Sequence, residues 1–199
     1  MGTLTERVAV VTGGGRGLGR GIALALAEFG ADVAVIARST DEITQVAAEI
    51  RETVGVRAVA VTCDVADWDA VQRAVDEIEA ELGYVNLLVN NAGILGPIDI
   101  TTRTDPAQWA LTQQINVNGA YFMLRAVLPG MLKRKWGRII NISSGAARNT
   151  GMSHLSAYSV SKAALNMLTL AVGAEIAETD ANVRVNSVAP GVIDTAMQT

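Results

Sequence analysis

The chain has 199 residues, of which 50% are hydrophobic and 18% charged, and a formal net charge of −4 at pH 7. A chain of this length buries roughly 70% of its unfolded surface around one core, so a single domain over residues 1–199 is expected, with a lean surface of the kind a partner often covers. The acidic balance and the lack of any basic run argue against nucleic acid as a ligand, because phosphate-backbone binding needs clustered Lys and Arg.

The first element sets the theme. Val8-Ala9-Val10-Val11 is a β-branched run that reads as a buried strand, Thr12 to Gly15 is a turn, and Leu18, Ile22, Leu24, Ala25, Leu26 and Phe29 resume at helical spacing. A glycine turn between a strand and a helix start leaves backbone N–H groups pointing outward, where the helix dipole favours an anion. The turn is therefore a candidate phosphate cradle. Gly13, Gly17 and Gly19 give G-x-x-x-G-x-G, which is neither the Walker pattern nor G-x-G-x-x-G. Taken alone, such glycines also arise wherever a tight turn needs positive φ.

Asp32 to Ala37 reads as a second strand, and Ser39 with Glu42 fits a capping box opening a helix to about Thr53. Val56 to Cys63 is a third strand running into Asp64. A periodic segment from Asp67, through Val71, Val75, Ile78 and Leu82, forms a helix ending near Gly83. Leu87-Leu88-Val89 is strand four, closing on Asn90-Asn91-Ala92-Gly93. After an irregular stretch with Gly96 and Pro97, the pattern is helical from about Pro106 to Lys135, with a boundary expected near Trp109. Lys133, Arg134 and Lys135 then read as a solvated helix end. Ile139 to Ser143 is strand five, Ser156 to about Ala177 a long helix, and Val183 to Ala189 strand six, stopped by Pro190-Gly191.

Six strands alternating with helices predict an α/β fold: a doubly wound, Rossmann-like parallel sheet with helices on both faces. Ligands in such sheets bind beyond the carboxyl ends of the strands. Gly13 to Gly19, Arg38, Asp64, Asn90 to Gly93, Ser143-Ser144 and Pro190-Gly191 all fall there, so they converge on one crevice. Cys63 is the only cysteine and His154 the only histidine. That excludes an internal disulfide and argues against a metal site or a Ser-His-Asp triad; no metal is expected, and Cys63 reads as a small core hydrophobe. No apolar run approaches about 18 residues and no leader pattern opens the chain, so no membrane association is expected and the cytoplasm is the default compartment.

Tyr158 and Lys162 stand four apart on the long helix, on one face. A nearby ammonium favours the phenolate and brings a tyrosine with an ordinary pKa near 10 toward the working range. The pair is a plausible proton donor, although Tyr and Lys also fall four apart by chance.

With this pair in place, the sequence resembles the short-chain dehydrogenase/reductase family over essentially its whole length and in the family's order. Thr12-Gly13-Gly14-Gly15-Arg16-Gly17-Leu18-Gly19 is similar to its cofactor turn, and Asn90-Asn91-Ala92-Gly93 to its strand-four motif. Ile142-Ser143-Ser144 and Tyr158-Ser159-Val160-Ser161-Lys162 are similar to its catalytic motifs. Pro190-Gly191 follows strand six as in the family, and Asn116 falls where the family has its helix asparagine.

The resemblance implies hydride transfer between a nicotinamide cofactor and a small-molecule carbonyl or alcohol. Tyr158 would be the acid/base, Ser144 would hydrogen-bond the substrate oxygen, Lys162 would bind the nicotinamide ribose and depress the tyrosine pKa, and Asn116 would hold a water linked to the lysine. Of the adjacent serines only one can face the site, since alternate strand residues point to opposite sides, and Ser144 is the expected one. For the cofactor, the resemblance implies Gly13, Gly17, Leu18 and Gly19 against the pyrophosphate and Asp64 with Val65 at the adenine. It further implies Asn91, Ala92 and Gly93 along the ribose, and Pro190, Gly191 and Thr195 near the nicotinamide. Arg38 stands at the end of strand two where an NAD-binding chain would carry a carboxylate, and with Arg16 it can pair with a 2′-phosphate. The expected cofactor is NADP(H).

The sequence ends at Thr199, whereas the family usually continues through a substrate-covering segment, another helix and a seventh strand; strand six is then expected at an open edge. Phe122, Met123, Leu124 and Val127 on one long helix, and Ala163, Ala164, Met167, Leu168 and Val172 on the other, exceed one apolar stripe. They predict a homodimer through paired helices that Val127→Glu or Leu168→Glu would weaken. A catalytically silent NADP(H)-binding sensor or interaction protein is the alternative to an enzyme; the intact Asn116, Ser144, Tyr158 and Lys162 set favours the enzyme.

Overall fold

The structure, a computed structural model, describes residues 3–147 and 152–191. Five-residue β1 (Val8–Thr12) leads through the glycine turn to α1 (Gly17–Glu28), followed by β2 (Asp32–Ala37), α2 (Thr40–Thr53), β3 (Ala58–Thr62), α3 (Trp68–Leu82) and β4 (Val85–Asn90). Then come α4 (Pro106–Gln113), one turn of π-helix (Gln114–Asn118), α5 (Gly119–Lys133), β5 (Trp136–Ile142), a 3-10 turn (Gly145–Ala147), α6 (Ser156–Ala177) and β6 (Asn182–Val188). All six strands are parallel, in the order β3-β2-β1-β4-β5-β6. Strand order reverses between β1 and β4, where a doubly wound sheet opens its crevice.

Each face of the sheet has its own core. Side chains alternate along a strand, so Val10, Ala34, Ile36, Leu88 and Ile139 pack with Ile78 of α3, Met123 and Val127 of α5 and Ile176 of α6. Ala9, Val11, Val33, Val35 and Val89 pack instead with Ala23 and Ala27 of α1 and Ile43, Val46 and Ile50 of α2. The central strands are buried on both faces and therefore read as unbroken apolar runs. β5 and β6 differ: on the α1/α2 side Ile140 and Val188 are exposed, while Ile139 and Val183 on the other side are fully buried. Cys63 lies in the core beside α3, where burial pushes its thiol up to about 11.

Four local expectations are corrected. Ser39 does precede α2, but its side chain makes no cap hydrogen bond; Glu42 instead turns toward Arg16, Nη1 to Oε1 3.7 Å. No boundary falls at Trp109. The Pro106 helix is N-capped by Asp105, whose Oδ1 accepts from Ala107 N at 3.0 Å, and the irregularity comes at Gln114–Asn118, where Gly119 N bonds back to Gln114 O. The basic run after α5 is not simply solvated. Arg134 stacks over Tyr84 (4.1 Å to the ring centroid), reaches the Val85 carbonyl at 3.4 Å and faces Glu79 at 3.9 Å, and Lys135 pairs with Asp180. Finally, Met123, Leu124, Val127 and Val172 are all buried within the chain's own core. The surplus apolar surface on these helices is carried by Tyr121, Val160, Met167 and Leu170, with Met167 and Leu170 at 64% and 66% exposure.

By length and composition α6 is long and apolar enough to cross a bilayer. Its place here is against the sheet, with Ser161, Lys162, Leu165, Thr169, Val172 and Ile176 buried.

Candidate active site at the carboxyl edge of the sheet

The strand order sets the site residues in a row: Asp64 after β3, Arg38 after β2, Gly13 after β1, Asn91 after β4, Ser144 after β5 and Pro190 after β6. Hydrogen bonds between neighbouring ends hold the row together. Cys63 N donates to Ala37 O (3.0 Å), Gly14 N to Ile36 O (3.3 Å) and Ser143 N to Val188 O (2.8 Å).

The glycine turn is clamped to the segment after β4. Asn91 Nδ2 donates to the carbonyls of Thr12 (2.9 Å) and Gly13 (3.1 Å), while Thr12 Oγ1 accepts from the backbone of Asn91 and Ala92, both at 3.0 Å. Gly13 and Gly17 take φ of 62° and 52°, the left-handed region where glycine carries no Cβ penalty. A Cβ on Gly13 would sit 3.0 Å from Ala92 Cα, and one on Gly19 would run into the Gly13 carbonyl. The N-terminus of α1 has no side-chain cap and no acidic residue in its first turn. Its open N–H groups and positive end fit the pyrophosphate of a dinucleotide, so the residues present suit the cofactor the family implies.

At the other end of the crevice, Asn116 is 1% and Lys162 4% exposed. Asn116 Oδ1 accepts from Ile94 N (2.8 Å), and its Nδ2 donates to Ile94 O and Ser161 Oγ, both at 2.9 Å. Both amide donors are spent on protein. Lys162 Nζ donates to Ile142 O at 2.7 Å and lies 5.7 Å from the centroid of the Tyr158 ring. Burial lowers its pKa from 10.5 to about 8, because the charged form is the one that loses hydration. Gly93 leaves room here: a Cβ on it would stand 3.1 Å from Asn116 Oδ1 and 3.5 Å from Lys162 Nζ.

The two serines after β5 separate as strand alternation requires. Ser143 is 3% exposed, its hydroxyl directed at Lys162 O (3.4 Å). Ser144 is half-buried and accepts from Ala146 N at 3.2 Å. Asp64 Oδ1 accepts from Ala66 N (3.0 Å), and Val65 is buried with its side chain where a Cβ on Gly119 would fall. Arg38 is exposed, with no carboxylate in ion-pair range among the described residues. Thr195 lies outside the described residues. Thr12 and Ser161 were not singled out by sequence reasoning; each sits inside a recognised motif, and only the fold shows its hydrogen bonds. Among the described residues no cluster of His, Cys, Asp and Glu could hold a metal ion.

A doubly wound sheet with a glycine turn at its switch point, and beside it a buried Lys-Asn pair next to a half-buried tyrosine, is the framework of a dinucleotide-dependent oxidoreductase. The family model described as short chain dehydrogenase matches residues 7–199. The chain is 37% identical over 197 residues to 3-oxoacyl-acyl-carrier-protein reductase FabG of Pseudomonas aeruginosa, covering 98% of this chain and 77% of the relative. Among solved structures, actinorhodin polyketide ketoreductase with NADPH matches with a TM-score of 0.91 at 36% identity, covering 99% of this chain and 74% of the neighbour. NAD+-bound xylitol dehydrogenase matches with a TM-score of 0.90 at 34% identity, covering 95% and 71%. The chain belongs to the short-chain dehydrogenase/reductase family, and with it to the oxidoreductases that transfer hydride to or from small carbonyl and alcohol compounds.

Proposed function

We propose that this protein is an NADP(H)-dependent carbonyl reductase or alcohol dehydrogenase in which Tyr158 exchanges the proton. The observation that carries the reading is the buried Lys162 ammonium, 5.7 Å from the Tyr158 ring and anchored on the Ile142 carbonyl. A cation fixed beside a phenol offsets the negative charge left on the oxygen when it gives up its proton, as an acid/base must. The bound nicotinamide supplies or accepts the hydride. Ser144 donates its hydroxyl hydrogen to the substrate oxygen, where charge builds in the transition state, and a donor set in place beforehand acts mainly there. Lys162 would also hold the nicotinamide ribose. Asn116 is a positioning residue: it ties the Ile94 backbone to Ser161 on the catalytic helix, and the remaining lone pair of its Oδ1 can take a water next to Lys162.

Toward the cofactor, the glycine turn with Leu18 would hold the pyrophosphate, Asp64 and Val65 would bound the adenine, and Asn91 to Gly93 would line the ribose. Pro190 and Gly191 would border the nicotinamide. Arg38 and Arg16 receive the 2′-phosphate; the exposed, uncompensated guanidinium of Arg38 supports that choice over a 2′-hydroxyl. The exposed Tyr121, Val160, Met167 and Leu170 support a homodimer through α5 and α6.

The test is a panel of carbonyl substrates with NADPH and NADH, on the wild type, Tyr158→Phe and Ala37→Asp/Arg38→Ile. Tyr158→Phe is expected to lose turnover while binding cofactor nearly as before, and the double variant to shift kcat/KM toward NADH. Substantial activity in Tyr158→Phe, or no NADPH preference in the wild type, would refute the corresponding assignment.

A further inference from the structure

One carboxylate beside the proposed 2′-phosphate site, Glu42, has no part in the function above. Glu42 sits in the first turn of α2, four residues beyond Arg38, and neither it nor Ser39 forms the capping box that the sequence allows. Its side chain lies instead across the glycine turn. A Cβ on Gly15 would stand 2.9 Å from Glu42 Cβ and 3.1 Å from its Oε2, and Glu42 Oε1 is 3.7 Å from Arg16 Nη1. A bulkier residue at Gly15 would push Glu42 off this position. The neighbouring Asp41 is exposed and makes no ion pair among the described residues.

We infer that Glu42 is a specificity-setting residue: its carboxylate holds Arg16 when no 2′-phosphate is present, and so moderates the preference for NADP(H) over NAD(H). The inference rests on the assignment of Arg16 and Arg38 to the 2′-phosphate. That phosphate carries close to two negative charges near neutral pH. To pair with Arg16 it must displace Glu42 from the guanidinium and then lie beside a like charge. A 2′-hydroxyl meets neither obstacle and can donate a hydrogen bond to the same carboxylate. The Arg16 and Glu42 side chains are 73% and 40% exposed, so water and salt screen the effect and keep it small.

The test is equilibrium binding by calorimetry of NADP+ and NAD+ to the wild type, Glu42→Gln, Glu42→Ala and a control, Glu49→Gln. Glu49 lies about two turns farther along α2 and pairs with Arg20 at 2.5 Å, so its variant changes net charge equally without touching Arg16. Glu42→Gln is expected to tighten NADP+ about three- to fivefold, as for an exposed pair, with NAD+ unchanged or weaker, and the gain should shrink in 0.5 M salt. Glu42→Ala should give the same ratio, and Glu49→Gln no selective gain. A wild type that prefers NADP+ with an unchanged ratio in Glu42→Gln overturns this inference and leaves the cofactor assignment standing. So does a gain confined to one Glu42 variant, or shared by Glu49→Gln. A wild type that prefers NAD+ removes both.

Discussion

Replacing Lys162 by Met should leave a pH signature in stability as well as a loss of activity. Burial lowers the Lys162 pKa from 10.5 to about 8, so at pH 7 the folded protein carries a charge that the unfolded chain solvates better. As pH rises past about 8 the folded state releases this proton while the unfolded chain still binds it, so this group's contribution to stability climbs until about pH 10.5. At pH 7 its cost is on the order of 3 kcal/mol, from a pKa that burial lowers from 10.5 to about 8. By pH 9.5 the folded protein has released this proton and the unfolded chain binds it only weakly, so the cost falls to roughly 1 kcal/mol. Met keeps most of the length of the side chain and cannot titrate, so Lys162→Met lacks this contribution. The difference in unfolding free energy, wild type minus variant, should therefore rise by about 2 kcal/mol between pH 7 and pH 9.5, while other titrating groups cancel in the subtraction. Urea unfolding at the two pH values reads it directly as a relative midpoint shift of about 1 M. An unchanged difference would show that the lysine stays protonated throughout, and burial would then not be tuning it.

Two further outcomes test the packing arguments. Gly19→Ala drives a Cβ into the Gly13 carbonyl and the Asn91 amide; it should cost about 1–3 kcal/mol and abolish dinucleotide binding, whereas Gly21→Ala on the same helix meets nothing within 4 Å and should stabilise by about 0.5–1 kcal/mol. A melting series with and without NADP+ separates them, and a tolerated Gly19→Ala would mean the turn is not pinned as described. Met167→Glu and Leu170→Glu should keep the fold and weaken association in sedimentation, while Val127→Glu, at 2% exposure, should fail to fold because it buries an unpaired carboxylate. Unaltered sedimentation of both surface variants would move the interface elsewhere.

The central sheet was readable because burial on both faces leaves a plain mark: the Asp32–Ala37 strand and the Ser156–Ala177 helix match the structure residue for residue. Where burial is one-sided, the mark blurs. Trp136, Arg138 and Ile140 belong to β5 with Gly137, Ile139 and Asn141, but Arg138 and the stacked Trp136 break the apolar run and pushed the expected strand start to Ile139. The helices that carry most of the apolar surplus were identified, yet period alone could not assign each position to the chain's own core or to its surface. Met123 and Val127 went to α3 and the sheet, and Tyr121 and Met167 to solvent.

The site was legible at a different level. Motif order places Asn116, Ser144, Tyr158 and Lys162 near one another, but not the use made of each polar atom. An asparagine in mid-helix reads as a polar accident or a functional group. The structure shows that the helix widens by one π turn around it, and such turns gather at functional sites. The same holds for Thr12, Asn91 and Ser161, whose hydrogen bonds go to turn carbonyls, backbone amides and Asn116. These bonds join β1 to the segment after β4, and α6 to the π turn, so the polar atoms that could compete for a ligand are consumed in fixing the backbone. Among the described residues the Ser144 hydroxyl hydrogen, the Tyr158 hydroxyl and the Arg38 guanidinium are not spent in this way, and they are groups to which the proposed chemistry assigns the substrate oxygen, the proton and the 2′-phosphate.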